Sequence, residues 1–69
     1  MPSYAERVSN LPPPLANALR RAVAEEDTSE LIELVDGVAE HDADVATYLR
    51  DLIERYAFEA LADLFEVPG

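Results

Sequence analysis

Apolar residues recur along the chain at helical spacing in four separate runs. Leu15, Ala18, Leu19, Ala22 and Val23 repeat at three- and four-residue steps and predict a first helix. It opens at Pro14, whose missing N–H would lack an intrahelical partner anyway, and ends near Glu26. Asp27 followed by Glu30 has the form of a capping box, and Leu31, Leu34, Val35 and Val38 continue the stripe, predicting a second helix over 28–40. Gly37 lies inside it, which suggests a close helix crossing or an early end. Asp42 is the next candidate cap, with Asp44 suited to the positive end of the helix dipole. Val45, Tyr48, Leu49, Leu52, Ile53 and Tyr56 then form the cleanest stripe, a third helix over 43–56, and Phe58, Leu61, Ala62 and Phe65 sketch a short fourth.

No alternating strand pattern competes with these runs. The lead "MPSYAERVSN" before "LPPP" reads as a linker or frayed turn over residues 1–10, leaving 11–66 as one helical domain and 67–69 as a tail. Sliding the chain on itself by 30 residues aligns 15–36 with 45–66 without a gap and gives five identities, Ala16/Ala46, Leu19/Leu49, Arg20/Arg50, Leu31/Leu61 and Leu34/Leu64. The expected fold class is therefore all-α, a small bundle of about four helices built as two packed helical hairpins, the last helix short.

Charge narrows the partners. Fifteen acids against five Arg and no Lys give a formal net charge of −10, which repels phosphate backbones and anionic lipid headgroups. Nucleic acid and membrane partners are not expected, although a salt-adapted source would produce the same acidity. The acids of "AEEDTSELIELVDGVAEHDAD" lie between apolar positions, so they read as caps and a solvated helix face able to meet a basic partner. With no apolar run long enough to span a bilayer, a cytoplasmic protein or fragment is expected.

The order "LPPPLANALRRAV" followed by "EHDADVATYLRDLIERYAFEALADLFE", with its acidic turn at Asp27, its "HD" turn and Leu49, Tyr56, Phe58, Leu61 and Leu64, resembles the short C-terminal helical segment that follows the last receiver domain in many bacterial hybrid sensor histidine kinases. The resemblance covers about residues 11–66, with Ala57 standing where Asp or Gln would cap the last helix. It implies a non-catalytic accessory module of two-component signalling, whose partners would be receiver or kinase domains or a second copy.

Candidate chemistry is sparse. The chain has no Cys, and no cofactor or metal ligand set is expected; Glu40, Asp42 and Asp44 lack the central Gly and closing Glu of a calcium loop. His41 could serve as a minimal phosphotransfer group, but "AEHDAD" reads as a turn and no Lys accompanies it. Ser29 is the one position where an acidic carrier protein could hold phosphopantetheine, although "DTSEL" favours helix capping. Arg20 and Arg50, at matched repeat positions, are expected to pair with local acids such as Glu54. Leu31, Val35, Tyr48, Tyr56, Phe58 and Phe65 are the candidate interface, on the reasoning that a core this thin cannot cover every large side chain.

Overall fold

A computed structural model describes residues 3–67, and within them the chain forms five helices. They are α1 (Tyr4–Ser9), α2 (Pro13–Glu25), α3 (Thr28–His41), α4 (Ala43–Glu54) and α5 (Phe58–Phe65). The four predicted helices are α2 to α5, with boundaries shifted by a residue or two. Among the described residues there is no strand. Met1 and Pro2 of the expected lead, and Pro68 and Gly69 of the expected tail, lie outside the described residues.

The lead is not a linker. Ser3 accepts the Glu6 N–H on its hydroxyl oxygen at 3.3 Å, capping α1, and the helix buries Val8 while the chain just after it buries Leu11. Six residues are too few to hold a helix in water. Packing against α4 and α5 is what sustains α1.

The two hairpins are α2–α3 and α4–α5, and α3 lies along α4 as α2 lies along α5. The 30-residue repeat is present in the backbone itself. At the end of α2, Glu26 adopts φ 52°, the Asp27 N–H reaches back to the Ala22 carbonyl at 3.0 Å, and the Glu26 N–H to that of Val23 at 3.1 Å. At the end of α4, Tyr56 adopts φ 56°, with the Ala57 N–H on Leu52 at 2.9 Å and the Tyr56 N–H on Ile53 at 3.0 Å. These are Schellman turns at matching positions, each with a side chain where glycine is the usual choice. A third ends α5, with Glu66 at φ 58° and the Val67 N–H on Ala62 at 2.8 Å.

The turn chemistry fixes the next helix in one case and not in the other. Asp27 accepts the Glu30 N–H at 3.2 Å and caps α3. The capping box is one-sided, because the Asp27 N–H is already spent on Ala22. Ala57 offers α5 no side-chain cap, as its residue type dictates. Burial of Leu61 and Phe65 holds that helix instead.

The core contains Leu19, Leu31, Val35, Val38, Val45 and Leu61, all fully buried, together with Leu49, Ile53 and Phe65. Gly37 neither ends α3 nor marks a crossing that only glycine permits. The helix runs on to His41, and a Cβ at Gly37 would meet Leu15 Cδ1 at 3.7 Å, an ordinary contact.

Candidate interaction surface

The apolar residues proposed for a docking face divide by burial. Leu31, Val35 and Phe65 are 0%, 0% and 2% exposed. They belong to the core of a single copy and offer nothing to a partner. The reason is geometric: Leu31 and Val35 point from α3 into the space enclosed by the two hairpins, and Phe65 occupies the position that matches Val35 in the repeat. Tyr48 is half-buried by α1, its ring stacked on Tyr4 with centroids 4.2 Å apart and planes at 7°. Tyr56 and Phe58 remain. Tyr56 is 71% exposed, and its ring lies tilted against Phe58 at 6.5 Å between centroids.

That aromatic pair sits on a continuous shallow surface. One groove runs from Val23 and Ala24 at the end of α2 across Phe58 and Ala62 to Val67. A second adjoins it over Tyr56, Ala57 and Ala60, and both are edged by Glu59 and Asp63. Glu26 closes the α2 side of the first groove.

The cations lie elsewhere. Arg7 grips Asp42 through two parallel bonds, Nε to Oδ2 at 2.8 Å and Nη2 to Oδ1 at 2.6 Å, and reaches Asp44 at 3.6 Å. Its guanidinium also lies 5.5 Å from the Tyr4 ring centre. Arg21 pairs with Glu25 and Arg55 with Asp51, each at 3.3 Å one turn apart. Arg50 pairs across the helices with Asp36 at 3.1 Å, not with Glu54. Arg20 donates from Nε to the Phe65 carbonyl at 3.1 Å, supplying a cation to the carbonyl end of α5 rather than to a carboxylate. All five arginines are thus engaged, and among the described residues Glu26, Glu59 and Asp63 pair with none of them.

Asp42 is the residue with the most connections. Its N–H closes α3 on Val38 at 2.8 Å, its side chain caps α4 by accepting the Val45 N–H at 3.3 Å, and its carboxylate receives Arg7. The Arg7 hydrogen bonds hold the Asp42 carboxyl below the usual carboxylate range, helped by the Val45 N–H and opposed by partial desolvation. Arg7 is raised in turn, chiefly by the same bonds. The sequence marks Asp42 as a cap but carries no signal for its partner 35 positions earlier.

The residues weighed for chemistry stand apart. His41 is exposed in the last turn of α3 and not in a free turn, while Ser29 is exposed in the first turn of that helix, where Asp27 and not Ser29 is the cap. Among the described residues no group of three or more His, Asp or Glu side chains is placed to hold a metal ion, and no helix is long and apolar enough to cross a membrane.

An all-α bundle that closes its core within one copy and leaves an acid-rimmed aromatic face defines a class, the small helical bundle domain. Residues 2–66 match the family described as the hybrid histidine kinase-response regulator, C-terminal domain. The chain belongs to that family, and so to two-component signalling. The match takes in α1, ahead of the stretch from residue 11 that carries the resemblance in the sequence. No curated protein and no solved structure matches the chain.

Proposed function

We propose that this domain is a non-catalytic, cytoplasmic interaction module of two-component signalling, engaging a receiver or kinase domain through its surface. One observation carries the reading: the core is complete in one copy, yet Tyr56 projects from it 71% exposed beside a half-buried Phe58. Large rings left uncovered on an otherwise charged surface are the residues that dominate protein interfaces. Self-association is the weaker form of this reading, because a second copy would bring the same Glu59 and Asp63 carboxylates against this face. Titration calorimetry against the receiver and kinase domains of the same signalling system tests it. Saturable binding to one of them is expected, with no phosphate appearing on His41. Absence of binding across that set, together with a strictly monomeric state, refutes the proposal.

A further inference from the structure

We propose that the face built from Tyr56, Phe58 and the outer side of α5 receives an amphipathic helix of a protein partner that carries Lys or Arg on both sides of its apolar stripe. The inference deepens the reading above and rests on it for the partner's source, though not for the surface itself.

Three observations converge on this face. The first is shape and apolarity. A shallow trough runs from Ala24 over Phe58 and Ala62 to Val67, and Tyr56 stands at its side. Such a trough fits side chains repeating at three- and four-residue steps along one helix. The second is charge. Glu59 and Asp63 are four residues apart on α5, so they repel each other on one helix face. Glu26 adds a third negative charge across the trough. Every arginine of the chain is engaged elsewhere, so no side-chain cation of the chain relieves the repulsion, and the N-terminal end of α5 favours Glu59 alone. A partner's ammonium or guanidinium groups would relieve it. The third is backbone conformation. Tyr56 holds a left-handed conformation at φ 56°, a position where glycine would be less strained. The matching turns at Glu26 and Glu66 carry carboxylates, whereas this one holds a large ring 71% exposed beside Phe58.

Charge also selects among occupants. A second copy would bring the same acidic rim and a net charge of −10 against this one. Anionic lipid and nucleic acid carry the wrong sign. A basic helix has the right sign and the right shape.

The probe is a labelled synthetic helical peptide of about 18 residues, or five turns, with Leu at i, i+3, i+4 and i+7 and Lys or Arg flanking the stripe. A scrambled peptide of identical composition keeps the charge and removes the stripe. Binding is read by fluorescence anisotropy at two salt concentrations and mapped by amide chemical-shift changes on the full chain. The expected result is saturable binding with shifts centred on residues 56–63, weakened about tenfold or more by loss of the Tyr56 ring. Both Tyr56→Gly and Tyr56→Ala should lose it; since these two variants differ in stability, a loss common to both follows the ring and not the fold. Glu59→Gln with Asp63→Asn should weaken binding at low salt and flatten its salt dependence. Equal binding of the scrambled peptide, shifts on another face, concentration-dependent shifts without peptide, or no binding each overturns the proposal. The same variants are then titrated with the cognate receiver and kinase domains. A domain that binds all variants equally overturns this surface while leaving the interaction module standing. A peptide seated at 56–63 while every cognate domain fails to bind leaves the surface standing and removes the signalling partner.

Discussion

The left-handed turn at Tyr56 supplies a prediction whose sign runs against intuition: removing a large side chain down to glycine should leave the protein more stable than removing it to alanine. Both substitutions lose the same contact of the ring with Phe58, so the difference between them isolates the backbone. An L-residue in the left-handed region costs roughly 1–2 kcal/mol. Glycine gives back about 0.4–1 kcal/mol through its greater freedom in the unfolded chain. Tyr56→Gly should therefore exceed Tyr56→Ala by about 0.5–1 kcal/mol, a rise in Tm of about 4 °C for a domain of this size. Urea unfolding followed by far-UV circular dichroism gives the value directly, with the slope unchanged between the two variants. Arg55, one residue earlier at φ −86°, is the internal control. There the order should reverse, alanine being the more stable by up to about 1 kcal/mol. If glycine at 56 were no better than alanine, or if 55 and 56 responded alike, the chain would not turn left-handed at Tyr56 and the Schellman geometry would be wrong.

Other expectations follow from single contacts. Gly37→Ala should stabilise the domain by about 0.5–1 kcal/mol in denaturant unfolding, because α3 is continuous there and the added methyl meets Leu15 at 3.7 Å without a clash. Leu31→Ala, at a fully buried site, should cost about 2–5 kcal/mol, enough to unfold much of so small a domain. Ile32→Ala next to it, 48% exposed, should change stability by less than about 0.5 kcal/mol; comparable losses at the two sites would mean that α3 is rotated about its axis. Because Arg7 lowers the Asp42 carboxyl in the folded state, its contribution is present above the unfolded carboxylate range near pH 4 and is lost as pH falls through the folded value. Asp42→Asn keeps a capping side chain but not the charge. The variant should be less stable than the parent at pH 7 and converge with it in acid, as read by thermal melts across pH; parallel curves would show that the pairing contributes nothing.

Four of the five helices were legible because each carries a stripe long enough to show its period. Helix α1 was not, since it buries only Val8 and six residues cannot display a repeat. Its one local signal was Ser3 three residues ahead of Glu6, the same spacing that marked Asp27 and Glu30, and the three prolines that follow it obscured that signal. The candidate surface was legible as a set of residue types but not as a place. Periodicity shows which residues share a helix face and is silent on how completely a neighbouring helix covers it. In the sequence Leu31, Val35 and Phe65 are therefore equivalent to Tyr56 and Phe58, and only the packing of the hairpins separates them. The Arg7–Asp42 pair and the Arg20 bond to the Phe65 carbonyl join residues 35 and 45 positions apart, and no short-range pattern encodes them.

Asp42 orders events in time as well as in space. Its backbone and side chain complete the corner between α3 and α4 from neighbouring residues alone, so that corner can form early, as local structure does. Helix α1 has no stable form of its own and finds Arg7's partner only after the corner exists. It is then expected to dock last and to open first, without the hairpins. Hydrogen exchange at residues 4–9 would run ahead of exchange in α3 and α4, and the domain would pass through a form in which Tyr48, Asp42 and the edge of the core that Val8 covers are open while the two hairpins stay packed.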